Sequence, residues 1–388
     1  MLPHAGLSHA LTQARAETDK LFAIVHSDAL YERPIPERNR IIFYLGHLEA
    51  FDWNLVAPPL ELSAFHASFD RLFSFGIDPG PDNLPADQPA DWPREDEVRA
   101  YNARVRGQID ALWDRVPEQL MHVAIEHRLM HAETFAYMLH RLPFEHKTAP
   151  GFSVAASGPV PQPRMMEIPA GIATLGLKRG ADFGWDNEFG QQDVDVAPFA
   201  IARHKVTNGE YLEFVREGAA APGFWVCHEG RWFYRGMFAD IPLPLDWPVY
   251  VAYEQAQAYA RWKGLSLPTE AQFHRAAYEA GDRDFTAENV NFRSWDPEPV
   301  TASQPNGNGV SQMVGNGWEW TRTPFAPFPG FAPFPFYPGY SANFFDGEHY
   351  VLKGGSPRTA ACMLRPSFRN WFRPAYPYIY STFRLVEN

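Results

Sequence analysis

Residues 126–140 read EHRLMHAETFAYMLH, and the way this stretch folds decides the first half of the chain. It lies within a proline-poor segment of helical period running from Pro117 to Arg141, with Pro117 suited to the first turn. His127 and His131 are four apart, so both rings leave one helix face about one turn apart. Two ligands on one helix need that spacing to reach a common ion. Glu133 lies two positions further, roughly 200° around the helix. It is therefore a poor co-ligand and a better partner for the outer nitrogen of a ligand ring. A third candidate is His47, in YLGHLEAFDWN on the second helix, since metal sites in bundles are built from facing helices.

The spacing alone does not establish a metal. A chain with 14 histidines is expected to place some pair four apart by chance, and His122 and His140 read as ordinary polar-face residues. Three imidazoles with an open position equally describe a zinc hydrolase. Iron oxygenases more often use two histidines and a carboxylate. The pattern leaves the metal open.

Outward from this helix the same texture continues. Leu7, Leu11, Ala14, Thr18, Leu21, Phe22 and Val25 recur at three- and four-residue steps, one face of an amphipathic helix. A second helix is predicted from about Glu37 through Asn54, with Pro34 and Pro36 before it and Pro58 and Pro59 after it. The stretch GIDPGPDNLPADQPADWP, between about Gly76 and Pro93, can only be a loop. A further helix is expected from about Glu95 to Val116. Four helices with short or irregular links make residues 1–145 an all-α bundle.

Residues 146–165, around HKTAPGFSVAASGPVPQP, read as an extended linker. From 166 to 388 short apolar runs alternate with Gly, Pro, Asn and Asp, a loop-rich α+β domain. Helical patterns interrupt it around Asn208–Glu217 and Ala252–Lys263. Its strand order cannot be read.

Composition narrows the function. A chain of 388 residues suggests two domains, and 36 prolines with 15% aromatic residues favour loops locally. The net charge of −12 argues against nucleic acid. No 18-residue apolar run offers a membrane span, and the first twenty residues lack a secretory apolar block. Cys227 and Cys362 are too few for a disulfide framework. A cytoplasmic protein is expected.

Both halves resemble the ergothioneine-type sulfoxide synthases, with a DinB-like four-helix bundle followed by a formylglycine-generating-enzyme-like (C-type-lectin-like) α+β domain. The bundle signature is a histidine on the second helix and, about eighty residues later, H-x-x-x-H-x-E, here His47 and His127 to Glu133. In the second half HKVTNGEYLEFV, GLSLPTEAQF, VGNGWEWTRTPF, YVLKGGS and LRPSFRNWF follow in the family's order and end in STFRLVEN. Most of these strings read as fold determinants. The resemblance implies iron(II) held by His47, His127 and His131. It implies hercynine (trimethylated histidine), a chalcogen donor and dioxygen as reactants. The new bond forms at the ring carbon between the two imidazole nitrogens. Three neutral ligands leave the full metal charge to favour an anionic thiolate or selenolate.

The resemblance also implies roles in the second half. Tyr337 and Tyr340, in FYPGYS, match a Tyr-x-x-Tyr-Ser stretch whose first tyrosine supplies a proton to reduced oxygen. Asn370 and Trp371 match residues beside the substrate, where an indole face gains about 0.5–2 kcal/mol from a quaternary ammonium. Relatives that use γ-glutamylcysteine carry aspartate and arginine where this chain has Phe372 and Tyr376. They also carry several arginines in the loop that is acidic here, where the only one is Arg94 near its end. Met130 replaces a glutamine that some relatives place near hercynine. A dianionic peptide would lack its guanidinium partners, and an aromatic, arginine-poor pocket suits a neutral selenosugar, the pattern of selenoneine synthases.

Other readings stand beside this one. The first is a sulfoxide synthase of ergothioneine or ovothiol type that takes cysteine or another thiol. The same histidines could instead serve a zinc-dependent DinB thiol transferase or hydrolase. A formylglycine-generating enzyme needs a cysteine pair soon after the Gly-Gly-Ser, and KGGSPRTAAC offers only Cys362. The fourth is a non-catalytic binding module.

Overall fold

The computed structural model describes residues 4–74, 84–151, 153–278 and 285–387. The chain divides into two compact units, Met1–Phe152 and Ser153–Asn388.

The first unit is helical: α1 (His4–Ile24), α2 (Ile41–Val56), α3 (Ala67–Leu72), α4 (Glu95–Leu112) and α5 (Glu118–Arg141). The α1 stripe is as predicted, with Leu7, Leu11, Ala14, Thr18, Leu21, Phe22 and Val25 all buried. In α4 the buried residues Val98, Tyr101, Asn102, Val105 and Ile109 follow helical spacing. Its acidic first turn, Glu95 to Glu97, complements the helix dipole. α2 and α5 are buried on nearly every side; α5 packs on α1 and α2, and α2 also packs on α4. They are the centre of the bundle.

Three expectations need correcting. α2 begins at Ile41, four residues later than predicted, because residues 34–39 form turns and bends behind two prolines. The short α3 was not anticipated; it is capped by the His66 ring, which accepts from the Phe69 amide. His140 is not a polar-face residue, being fully buried, since α5 has no solvent face at that position. Of the predicted 76–93 loop, residues 76–83 lie outside the described residues. In the remainder Asp87 pairs with Arg33 and accepts from Arg40 at 2.9 Å and from Trp92 at 2.7 Å.

The second unit holds small sheets around short helices. Its strands are β1 (Met165–Ile168), β2 (Gly171–Leu175), β3 (Gln192–Val196), β4 (Phe199–Ala202), β5 (Trp225–His228), β6 (Arg231–Arg235), β7 (Asp240–Pro242), β8 (Trp318–Pro324), β9 (Tyr350–Lys353), β10 (Asn370–Phe372), β11 (Ser381–Thr382) and β12 (Val386–Glu387). They form the sheets β1-β4-β12, β10-β9-β8-β11, β2-β3 and β5-β6-β7. Pairing is antiparallel except between β11 and β8. The helices are α6 (Asn208–Arg216), α7 (Tyr253–Trp262) and α8 (Glu270–Ala277). α8 went unread although LPTEAQ carries its start signal. Thr269 accepts from the Gln272 amide at 3.1 Å and Gln272 accepts from the Thr269 amide at 2.9 Å, a reciprocal cap.

The strings common to the family cross-brace this unit. Lys205, Glu319 and Arg384, from HKVTN, GWEW and STFR, form a fully buried ion cluster; Lys205 meets Glu319 at 2.6 Å and Arg384 grips the same carboxylate at 2.8 Å. Glu270 pairs with Arg369 at 3.1 Å and Lys353 at 3.8 Å, joining three more strings. Such clusters hold distant loops in one arrangement. Among the described residues no helix is long and apolar enough to cross a membrane.

Candidate metal centre

His47 projects from α2 and His127 and His131 from α5, and the packing of the two helices brings the three together. One donor atom from each lies within 4.8 Å of the others. The His47 and His131 Nε2 atoms are 3.2 Å apart. Metal–nitrogen bonds of about 2.1 Å place neighbouring ligand nitrogens roughly 3.0–3.4 Å apart, so this pair already has ligand spacing. The His127 donor, the third corner, lies within 4.8 Å of both. His47 Nδ1–H donates to the Phe73 carbonyl at 2.7 Å, which fixes the tautomer and turns the Nε2 lone pair inward. Phe73 directly follows α3. The unpredicted helix thus supplies the outer partner of one ring, while Glu133, expected in such a role, is buried on α5.

The rings are enclosed by aromatics. Phe51 lies parallel to His127 with centroids 3.3 Å apart, and Phe43 stacks on His47 at 4.9 Å. Burial drives the His47 ring down to about 4, against the Phe73 bond, which raises it, and with the Arg128 charge lowering it further. Burial first, then the neighbouring histidines, hold His127 well below the ordinary value. His131 is lowered by burial, then by His47, Arg38 and Arg128. At neutral pH all three present unprotonated nitrogens, so no proton competes with a cation. A convergent, neutral imidazole set, with His47 and His127 buried and His131 half-buried, fits a divalent transition metal.

Behind the rings runs a network of ions that sequence reading missed. Arg128, fully buried beside His127, donates to Glu49 at 3.0 and 2.8 Å, to Asp52 at 2.7 Å and to the Leu48 carbonyl at 3.1 Å. Glu49 also accepts from Arg106 of α4 at 2.8 Å. Glu49 and Asp52 stand two and five positions after His47, so the network ties the two ligand-bearing helices at ligand height. Its signal was present: an arginine between two histidines and acids on the partner helix.

In the second unit Trp371, on β10, stacks on Phe325 with centroids 4.3 Å apart and meets the edge of Tyr340 at 5.4 Å. Tyr340 stacks on Trp185 at 4.0 Å and neighbours Tyr337 at 5.6 Å. Phe372 and Tyr376 are parallel at 5.4 Å, and Tyr337, Asn370, Trp371, Phe372 and Tyr376 are all half-buried. Met130, on α5 in the first unit, is half-buried too. Cys227 and Cys362 are exposed, on β5 and in a short turn respectively.

Residues 151–388 match the Sulfatase-modifying factor enzyme 1-like domain. The hercynine oxygenase of Mycolicibacterium thermoresistibile is 30% identical over 99% of this chain and 95% of its own length. That of Mycolicibacterium smegmatis is 33% identical over 78% of this chain and 79% of its own. Ergothioneine biosynthesis protein 1 of Neurospora crassa is 28% identical over 93% of this chain, which spans only 55% of that relative's length. The match to the oxygenases runs through both units, histidine helices included, and on that ground the chain belongs to the hercynine oxygenase family, the ergothioneine-type sulfoxide synthases.

Proposed function

We propose that the protein is a non-heme iron oxygenase that joins a chalcogen donor to the imidazole of hercynine, with a selenosugar as the donor. One observation carries the reading: three neutral imidazoles from two facing helices, two buried and one half-buried, converge in a chain whose family acts on hercynine by name. Iron(II) held by His47, His127 and His131 would supply the redox chemistry with dioxygen that zinc lacks. Phe51 and Phe43 shield the rings from water. Trp371 offers an indole to the quaternary ammonium that separates hercynine from histidine. Tyr337 holds a proton: burial, then the Asp186 carboxyl, pushes its hydroxyl up to about 12, so it stays protonated at neutral pH and can give that proton to a more basic oxygen. The parallel faces of Phe372 and Tyr376 suit the C–H surface of a sugar and give a dianionic peptide nothing to pair with. A chain with only two cysteines has no disulfide framework, and we place the enzyme in the cytoplasm.

The test is purified protein with iron(II), hercynine and oxygen, offered 1-seleno-glucose, γ-glutamylcysteine and cysteine in turn, with products identified by mass. Turnover with the selenosugar is expected. Turnover only with a cysteine-type donor leaves a sulfoxide synthase and removes selenium. Zinc that stays bound through purification, with no oxygen consumed, removes the oxygenase.

A further inference from the structure

Four consecutive residues, Trp185 to Glu188, are all buried at 1% exposure or less, and the three that carry an aromatic or a charge grip two segments of the second unit, residues 334–341 and 365–367. Trp185 stacks on Tyr340. The Ser341 hydroxyl donates to Asp186 Oδ1 at 2.6 Å, and the Trp185 ring also neighbours that of Phe334 with centroids 6.4 Å apart. Glu188 pairs with Arg365 and accepts from Ser367 at 2.7 Å, just ahead of β10 with Asn370 and Trp371. Trp185 and Asp186 together therefore touch both ends of the 334–341 loop that presents Tyr337 and Tyr340, the indole at Phe334 and Tyr340 and the carboxylate at Ser341. Inside that loop the turns are closed by the Tyr337 amide on the Phe334 carbonyl at 3.0 Å and the Tyr340 amide on the Tyr337 carbonyl at 3.2 Å. A proline- and aromatic-rich loop has few backbone bonds of its own, and a carboxylate anchoring one end beside a stacked indole removes much of its freedom.

We propose that Asp186 is a positioning residue for the Tyr337 hydroxyl, acting through Ser341 at the end of its loop and touching no reactant itself. The proposal rests on the reading of Tyr337 as the proton donor. Its location also gives the buried carboxyl a role: burial pushes Asp186 upward, and the Ser341 bond is the largest contribution against it.

The experiment is a double-mutant cycle in the full-length, iron-loaded protein with hercynine and the donor that turns over. Asp186→Ala should lower kcat on the order of 10²-fold, the scale of a positioned proton transfer, with KM for hercynine little moved and iron content unchanged. Asp186→Asn, which keeps an acceptor for Ser341, should retain most of the rate. Asp186→Ala combined with Tyr337→Phe should be no slower than Tyr337→Phe alone. If Asp186→Ala does not fold, Ser341→Ala replaces it and should show the same non-additivity with a smaller loss. Losses that multiply, or a rate for Asp186→Asn as low as for Asp186→Ala, overturn the positioning role while leaving Tyr337 in place. A fully active Tyr337→Phe overturns the tyrosine reading itself, and the role of Asp186 with it.

Discussion

Replacing Arg128 by methionine isolates what the buried ions do for the metal centre. The guanidinium satisfies both oxygens of Glu49, one of Asp52 and a backbone carbonyl, all away from solvent. Removing one partner of a buried ion pair costs about 3–5 kcal/mol, because the remaining charge stays desolvated. Glu49 retains Arg106 at 2.8 Å, and the Asp52 carboxyl is already pushed up by burial despite Arg128, so it can protonate. Both facts place the expected loss toward the lower end, about 3 kcal/mol at pH 7. The pH dependence carries the sign. In the wild type burial raises Glu49 but Arg128 and Arg106 hold it below the ordinary carboxylate value, a stabilisation present at neutral pH and lost as pH falls through the lowered range. In Arg128→Met that advantage is gone and protonation relieves the orphaned acids, so the deficit should shrink on going from pH 7 to 5. Hydrogen exchange of α2 and α5 in urea, on metal-free full-length protein, measures it locally. A loss under about 1 kcal/mol, or a deficit that grows toward acid, would refute the account of a network held by charge.

Further outcomes follow from the same geometry. A Cβ on Gly46 would meet the Phe73 ring at 2.7 Å, so Gly46→Ala should displace Phe73, loosen the carbonyl that holds His47 and weaken iron binding by about 10- to 100-fold; unchanged affinity in a metal titration would show the outer bond to be dispensable. His127→Ala and His131→Ala should purify without stoichiometric iron by elemental analysis, and full occupancy in either would remove these ligands from the site. In metal-free protein His47, lowered to about 4 from 6.5 by burial, takes up its proton only after the unfolded chain has, as do His127 and His131; stability should fall as pH drops from 6.5 toward 4, with His47 contributing about 1.4 kcal/mol per unit, and His47→Leu should make that slope shallower by its share in urea titrations. Trp371→Ala should reduce the preference for hercynine over histidine by about 2- to 30-fold, the value of about 0.5–2 kcal/mol for a cation over an indole, read as a ratio of kcat/KM.

Much of the first unit was legible because its information is local. The α1 stripe from Leu7 to Val25 and the i,i+4 spacing of His127 and His131 need only the helical period, and the structure keeps both. The ordered strings of the second unit identified its domain, since motifs survive in sequence even when strands do not announce themselves. α8 could have been read from Thr269 and Gln272, whose reciprocal cap is a sequence signal. α3, six residues long, could not, as nothing so short declares a period.

By itself the chain determined which residues are able to bind an ion, through the side chains it places one helical turn apart, and which family it joins. Only the tertiary structure decided that His47 faces the other two, that the Phe73 carbonyl fixes its tautomer, and that Arg128 braces the pair of helices from behind. The reason is distance along the chain: His47 and His131 meet across 84 residues and Arg128 and Glu49 across 79. No periodicity spans such gaps, and the packing of α2 on α5 closes them.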